Sequence, residues 1–148
     1  MDISDFLSPS DASIDVAAAD KKKLLSEMAR EAGKILGMPS EQILTELVKR
    51  EELGSTGMGG GVAIPHARFA QANRPFGMLA RLRRPIAFDA VDGKPVDIVF
   101  LLLLPESPVG DQLGALACIA RKLRNAEVAT ALRSARDGAE MYRALTAG

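Results

Sequence analysis

The chain has a single histidine, His66, and it closely follows a run of glycines. Residues 54–68 read GSTGMGGGVAIPHAR. A neutral imidazole is a good nucleophile toward phosphorus, and its ordinary pKa of about 6.5 leaves much of it neutral at cellular pH. One ring nitrogen must donate its hydrogen to an acceptor that orients the ring, which leaves the lone pair of the other nitrogen facing outward. This pattern favours phosphoryl acceptance on His66.

The residues that precede and follow His66 are those that a phosphoryl group needs. Glycines allow positive φ and close approach, and successive N–H groups form anion-binding concavities. Ser55 and Thr56 add hydroxyl donors, and the nearby arginines Arg50 and Arg68 can hold phosphoryl oxygens. We therefore predict an oxyanion cradle whose backbone part is supplied by five glycines, Gly54, Gly57, Gly59, Gly60 and Gly61.

Two nucleotide-binding patterns do not fit this loop. The P-loop needs a lysine after its glycines, and none follows here. The dinucleotide-binding pattern needs a different glycine spacing and a helix after the loop, whereas this loop leads into an apolar, strand-like stretch. A plainer interpretation also stays open, in which His66 is an ordinary surface residue, the glycines form a long turn, and Arg50 and Arg68 are solvated charges.

Composition narrows the class of protein. The 148 residues suit one domain, and 47% hydrophobic with 26% charged residues is typical of a soluble fold. The formal net charge is zero, so we expect no nucleic-acid partner. Residues 98–104 form an apolar run too short to cross a bilayer, and the N-terminus has no signal-peptide pattern. We expect a cytoplasmic protein without direct membrane insertion.

Cysteine and histidine usage bears on metals. One cysteine and one histidine exclude a zinc site built from those ligands within one chain, and we expect neither a metal nor a cofactor. Cys118 lies in the apolar run LGALACIA and is expected to be a small buried hydrophobic residue.

Two helices are predicted before the glycine run. Asp20 can cap a helix over residues 21–36, and Ser40 can cap a second helix over 41–53 that Gly54 ends. The three-to-four spacing of apolar residues assigns the buried face of the first helix to Leu24, Met28, Ala32 and Ile35, and that of the second to Ile43, Leu44, Leu47 and Val48.

Strands and further helices follow. We predict short strands over 13–18, 61–64 and 76–82, and a central strand buried on both faces over 95–105, PVDIVFLLLLP. Asp111 can cap a helix that ends near Arg124, and Asp137 with Glu140 resembles a capping box for a last helix to Ala147. The apolar stripe of the helix after Asp111 is assigned to Leu113, Leu116, Ala117, Ala120 and Leu123. This order of elements favours an α/β or α+β domain.

The stretch REELGSTGMGGGVAIPHAR, residues 50–68, resembles the signature of the fructose/mannitol/nitrogen-regulatory enzyme IIA family of the phosphoenolpyruvate phosphotransferase system. FDAVDGKPVDIVFLLLLPE (88–106) is similar to the family's central strand with the turn before it. DQLGALACIARKLRN (111–125) is similar to the helix that follows. The resemblance implies a three-layer α/β/α domain around a small mixed sheet, over residues 14–148, with residues 1–13 as an N-terminal arm.

The resemblance also implies functional roles. His66 would accept a phosphoryl group from an HPr-like phosphocarrier protein, Arg50 would match the family's active-site arginine, and Ser55 and Thr56 its loop hydroxyls. A freestanding domain is similar to the nitrogen-regulatory members, which act on downstream regulatory proteins. A sugar-specific component that feeds a permease is the alternative, and a regulatory binding module that is never phosphorylated is another.

One departure bears on these alternatives. The family usually has a second histidine followed by leucine at the start of the helix after the central strand, and here the pair is Gln112–Leu113. A glutamine amide can donate to a phosphoryl oxygen but cannot titrate. We further expect that Glu51 points away from the cradle. For Met58 and Phe69, part of a docking surface is one interpretation, and core packing or an incidental exposed side chain is the plainer one.

Overall fold

The computed structural model describes residues 2–106 and 112–147. Two short 3₁₀ turns, Ile3–Asp5 and Pro9–Asp11, come first. The strands are β1 Ala12–Val16, β2 Gly57–Gly59, β3 Val62–Ala63, β4 His66–Phe69, β5 Phe76–Ile86 and β6 Val96–Pro105. The helices are α1 Lys21–Leu36, α2 Ser40–Glu52, α3 Gln112–Arg124, α4 Ala126–Ser134 and α5 Gly138–Thr146.

The long apolar strand β6 is the centre of a mixed sheet, as its sequence predicts. The sheet order is β1-β5-β6-β3-β2, and β4 also pairs with β6. Strand β6 runs antiparallel to β5 and parallel to β3 and β4. Strands β3 and β4 pair with β6 in the same register, so residues 64–65 simply continue the chain along β6 and His66 lies opposite Leu102.

Helices cover both faces of this sheet. Successive side chains of a strand point to opposite faces, so β6 contributes to two cores. Phe100, Leu102 and Leu104 pack with α3, α4 and α5, while Val99, Leu101 and Leu103 pack with α1 and α2. The predicted three-layer α/β/α fold around a small mixed sheet is confirmed.

Helix α1 begins and ends where the sequence predicts. Asp20 accepts a hydrogen bond from the Lys23 amide, and Gly37 ends the helix in the left-handed conformation. Of the predicted buried face, Leu24, Met28 and Ala32 are buried. Ile35 is 49% exposed, because it lines a surface depression with Leu36 and Met38 rather than facing the core.

Several other element predictions need correction. Ser40 is the first residue of α2 and Pro39 precedes it as the cap. Strand β5 continues to Ile86, beyond the predicted end at 82. In α3 the buried residues are Ala115, Ile119 and Leu123, whereas the predicted Leu116 and Ala120 are half-buried and Ala117 is exposed. Cys118 is half-buried against the core rather than fully buried. The predicted cap Asp111 lies outside the described residues, as does the side chain of Leu113.

The first residues are packed into the domain. Ile3, Phe6 and Leu7 are buried in the core on the α3–α5 side. The ring of Phe6 meets that of Phe100 edge-on, with 6.1 Å between centroids. The Phe6 carbonyl accepts a hydrogen bond from the Gly77 amide. The division between an arm over 1–13 and a domain over 14–148 stays a proposal, which Phe6 can test.

Candidate active site

His66 and Arg50 meet at the edge of the sheet. His66 is the first residue of β4, and Arg50 lies in the last turn of α2. The Arg50 Nε–H donates to His66 Nε2 over 3.3 Å, and an Nη of Arg50 donates to the Gly54 carbonyl over 2.8 Å. The end of the helix, the loop after it and the strand thus fix the relative positions of imidazole and guanidinium.

The hydrogen-bond partners of His66 define its tautomer. Nδ1 lies 2.7 Å from the Ile64 carbonyl oxygen, which can only accept, so Nδ1 carries the hydrogen. Nε2 receives an N–H from Arg50, so it offers a lone pair. This assignment from partners gives a neutral imidazole whose Nε2 is the available nucleophile. The arrangement is the one that phosphoryl acceptance needs.

The surroundings of His66 lower the pKa of its imidazole. Burial is the largest cause, because it penalises the charged ring. The hydrogen bond to Ile64 and the charge of Glu51 act in the opposite direction, whereas the cationic side chains of Arg50 and Arg68 lower the pKa further. The net effect is a pKa below the ordinary 6.5, so the nucleophile is neutral at pH 7.

The single histidine makes this shift directly measurable. We expect the one imidazole Hε1 signal in proton NMR to titrate with a midpoint below 6.5. The unfolded chain then binds this proton more tightly than the folded chain. The contribution of His66 to the free energy of unfolding should therefore decrease as the pH falls from about 6.5 toward the folded-state pKa, and be constant above that window. A midpoint at or above 6.5 would contradict the described environment.

The reactive edge of His66 opens onto a shallow depression of about 370 Å³. His66 and Arg68 lie two residues apart on β4, so they point to the same face. The depression is lined by Glu46, Lys49, Arg50, Leu53, His66, Ala67, Arg68, Leu104 and Leu116. This lining contains three cationic side chains and one carboxylate, that of Glu46, so its rim is electropositive. A positive rim suits a phosphoryl group.

An exposed apolar side chain borders this depression. Leu53 is 86% exposed, and sequence reasoning missed it because it ends a strongly charged stretch, LVKREEL. The residues predicted for docking lie elsewhere. Phe69 is 2% exposed in the core on the α1–α2 side, and Met58 is half-buried against the other core. For Phe69 the core-packing interpretation is confirmed and the docking interpretation is wrong, because alternation along β4 directs the side chain inward.

The two loop hydroxyls are engaged within the loop. Ser55 Oγ donates to the Phe88 carbonyl over 2.6 Å and accepts from the Gly57 amide. Thr56 donates both its amide, over 3.0 Å, and its hydroxyl to the Glu51 carboxylate. Glu51 therefore binds the start of the loop rather than pointing away from it. In this arrangement Ser55 and Thr56 shape the loop, and their predicted contact with a phosphoryl group stays a prediction.

The glycine run separates into two parts. Gly54 lies in the loop after α2, where its carbonyl accepts a hydrogen bond from Arg50, and Gly57 is the first residue of β2. Gly59, Gly60 and Gly61 have positive φ and form the turn between β2 and β3. Val62 pairs with Ile98, while His66 pairs with Leu102, so this turn lies at least ~13 Å along β6 from the histidine. The structure does not bring these three glycines to His66.

The turn is instead bound to α4. Arg133 pairs with Asp97 over 2.9 Å and donates to the Gly60 carbonyl over 2.8 Å. A Cβ on Gly61, whose φ is +79°, would lie 2.5 Å from an Nη of Arg133 and 3.0 Å from an Oδ of Asp97. The glycine is required by this close approach and by its left-handed backbone.

We expect Gly61→Ala to lower the free energy of unfolding by about 1–3 kcal/mol, from backbone strain and from displacement of Arg133. Gly60→Ala, with φ +67° and open space around the added Cβ, should lose only about 1–2 kcal/mol. Denaturant unfolding measures both losses. Phosphoryl acceptance per folded molecule should be retained in both variants, and its loss in folded Gly60→Ala would place the turn in the reactive site after all.

The remaining predicted site residue is Gln112. It is the first residue of α3, and its side chain lies outside the described part of the chain, so its predicted contact stays a prediction. Residues 2–106 and 112–147 hold no group of three or more His, Cys, Asp or Glu that could bind a metal ion. No helix within those ranges has both the length and the apolar character to span a bilayer.

The fold and the histidine–arginine pair define an enzyme IIA-type α/β domain, and the chain belongs to the family described as "Phosphoenolpyruvate-dependent sugar phosphotransferase system, EIIA 2", whose profile matches residues 5–148. The chain is 43% identical to the nitrogen regulatory protein of Bradyrhizobium diazoefficiens over 145 residues, 98% of this chain and 95% of that protein. It is 39% identical to the nitrogen regulatory protein of Pseudomonas aeruginosa, covering 92% and 89%.

A solved structure agrees with this assignment. The crystal structure of nitrogen regulatory protein IIA-Ntr from Neisseria meningitidis superimposes with a TM-score of 0.92 at 35% identity, covering 97% of this chain and 99% of that one. The family resemblance predicted from residues 50–68 is confirmed, and so is the similarity to nitrogen-regulatory members. The family is one of phosphotransferase components, which act as carriers of phosphoryl groups.

Proposed function

We propose that this protein accepts a phosphoryl group from an HPr-like phosphocarrier on Nε2 of His66, and that its phosphorylation state is read by regulatory protein partners. The observation that carries the proposal is the neutral imidazole, with Nδ1–H on the Ile64 carbonyl and Nε2 at an electropositive depression. Family membership supports the phosphoryl chemistry, and similarity to proteins named nitrogen regulatory protein supports the regulatory output.

In the proposed step the Nε2 lone pair attacks phosphorus in line with the nitrogen of the donor's phosphohistidine. The P–Nε2 bond forms as the donor's P–N bond breaks, and the electron pair of the broken bond stays on the donor nitrogen. The donor ring, protonated on its other nitrogen before transfer, leaves as neutral imidazole. The His66 ring gains positive charge, and its Nδ1–H then makes a stronger hydrogen bond to the Ile64 carbonyl.

Arg50 has two roles in this proposal. In the unphosphorylated protein the Nε–H of Arg50 donates a hydrogen bond to the lone pair of His66 Nε2. This hydrogen bond must break before the lone pair can attack phosphorus. Rotation of the guanidinium about its contact with the Gly54 carbonyl directs the N–H groups toward the phosphoryl oxygens. Catalysis then comes from positioning and from stabilisation of charge on those oxygens. Arg68, and the amide of Gln112, are the additional donors we assign to the phosphoryl group.

A docking partner at the depression would contact both positively charged and apolar side chains. Leu53 is exposed beside the depression, with Lys49 and Arg68 on its rim. A carrier that presents its phosphohistidine together with an apolar patch complements this face. The output partner is proposed to be a regulatory protein in the cytoplasm rather than a sugar permease. The sugar-type relay is the alternative, because the same chemistry serves both.

A reconstituted relay tests this function. The protein is mixed with phosphoenolpyruvate, enzyme I and an HPr-like carrier, then measured by intact-mass spectrometry beside His66→Ala. We expect an acid-labile gain of one phosphoryl group that the variant lacks. Faster transfer from a nitrogen-type than from a sugar-type carrier supports the regulatory branch. No gain with a competent relay would leave a binding module that is not phosphorylated.

A further inference from the structure

Lys21 occupies a position that helix formation does not explain. It is the first residue of α1, which begins Lys21–Lys22–Lys23 and has no acidic residue in its first turn. Cations at a helix N-terminus oppose the helix dipole. The Lys21 side chain is nevertheless only 19% exposed, and its Nζ lies 2.9 Å from an Oε of Glu51. A partly buried cation in an unfavourable position indicates that its partner is the reason for it.

The ammonium group of Lys21 is held from several directions. It lies 4.5 Å from the centroid of the Phe88 ring and 3.5 Å from the Phe88 carbonyl oxygen. An Oδ of Asp89 is 3.8 Å away, on an exposed side chain. Ser55 donates to the same Phe88 carbonyl. Lys21 therefore connects α1, the chain around residue 88 and the loop after α2.

Glu51 uses both carboxylate oxygens in this network. Its side chain is 7% exposed, Oε1 accepts from Lys21 and from the Thr56 amide, and Oε2 accepts from the Thr56 hydroxyl. The two Thr56 donors are neutral, so among residues 2–106 and 112–147 Lys21 is the cation that compensates this carboxylate. Burial of an uncompensated charge is costly, so removal of Lys21 would destabilise the loop conformation that the Glu51 carboxylate holds. That loop includes the Gly54 carbonyl on which Arg50 is positioned.

The negative charge of Glu51 acts on the imidazole of His66 and raises its pKa. The imidazole is faced by Arg50 and Glu51 from α2 and by Arg68 from β4, with Glu46 and Lys49 on the rim of the depression. Glu51 favours the protonated imidazole and opposes negative charge nearby. A phosphoryl group on Nε2 brings roughly two negative charges to this position. An uncompensated Glu51 would repel it.

We propose that Lys21 is a positioning residue for phosphoryl transfer: its ammonium group holds and neutralises the Glu51 carboxylate on Thr56, so that the loop orients Arg50 and no net negative charge opposes the phosphoryl group on His66. The inference rests on the proposed function of His66. Lys21 itself does not contact the reacting atoms. It acts through Glu51, Thr56 and Gly54.

The test compares Lys21→Met with the matched control Lys22→Met, which removes the same charge from the next, exposed residue of α1. In Lys21→Met we expect the pKa of His66 to rise, and phosphoryl acceptance to slow about tenfold, the effect of one uncompensated charge in a partly buried site. Lys22→Met should behave as the unmodified protein. Lys21→Arg, and the double variant Lys21→Met/Glu51→Gln, should recover the pKa and most of the rate.

The NMR titration needs no phosphoryl donor, so it decides the coupling between Lys21 and His66 even if the relay experiment fails. If the proposed function is wrong, the protein without substitutions will accept no phosphoryl group in the relay. Failure of this inference would appear as a Lys21→Met protein whose pKa and rate match those of Lys22→Met. If Lys21→Met folds poorly, the pKa of His66 and the transfer rate can still be measured in Lys21→Arg and in the double variant. A folded double variant that accepts the phosphoryl group tenfold more slowly than the unsubstituted protein would overturn the role of the charge.

Discussion

Arg50→Ala should slow phosphoryl acceptance by His66 about 10²–10³-fold, the loss typical when one preorganised donor to a developing negative charge is removed. Arg50 contacts the reactive nitrogen, with its Nε 3.3 Å from Nε2 of His66. Its second hydrogen bond, to the Gly54 carbonyl, fixes the guanidinium near the position that phosphoryl oxygens would occupy. Single-turnover transfer from a phosphorylated carrier measures the rate.

Two further readouts distinguish Arg50's role from a general loss of charge. Because the cation of Arg50 lowers the pKa of His66, Arg50→Ala should raise that pKa. Arg50→Lys keeps the charge but loses the planar guanidinium with its several N–H donors. Its transfer rate should therefore lie between that of the unsubstituted protein and that of Arg50→Ala. Arg30→Ala, an exposed arginine on α1 paired with Glu27, is the control and should leave both quantities unchanged. A fast Arg50→Ala protein would remove Arg50 from the mechanism.

Phe6→Ala should lower the free energy of unfolding by about 3–5 kcal/mol, as expected for removal of a buried aromatic side chain. The ring is 5% exposed and packs edge-on against Phe100 of the central strand. The backbone of the same residue accepts from Gly77 on β5. Chemical denaturation followed by circular dichroism measures the change.

Phe6→Ala tests whether residues 1–13 are an integral part of the domain or an arm attached to it. Ser4→Ala, at an exposed position two residues away, is the control and should change stability by less than about 0.5 kcal/mol. If Phe6→Ala were as mild as Ser4→Ala, residues 1–13 would be a detachable arm. A large loss would move the domain boundary toward the N-terminus.

The parts of the fold that the sequence predicts are those with strong local signals. Asp20 and Gly37 bracket an amphipathic pattern, so α1 is predicted from end to end. Strand β6 is predicted because prolines bracket a continuous apolar run. Strand β4 is missed because four residues, HARF, are too few to show alternation, and its pairing with β6 is decided by tertiary structure. Helix α4 is short and is also missed, although Asn125 caps it.

The candidate site divides in the same way. His66 and Arg50 could be predicted because their chemistry and the family signature both point to them, and the structure brings them together. The glycine run appears continuous in the sequence, but a reversal at Gly59–Gly61 carries its second half toward α4. The Lys21–Glu51 pair joins residues thirty positions apart and could not be seen from spacing.

Identification of the phosphorylated atom decides whether His66 accepts the phosphoryl group on Nε2. The protein, labelled with ¹⁵N in its one histidine, is phosphorylated by the relay and the imidazole nitrogens are observed by NMR. Because the Ile64 carbonyl holds Nδ1–H while Nε2 faces the depression, we predict phosphorus coupled to Nε2, with Nδ1 still protonated. Phosphorus on Nδ1, or on any residue other than His66, would contradict it.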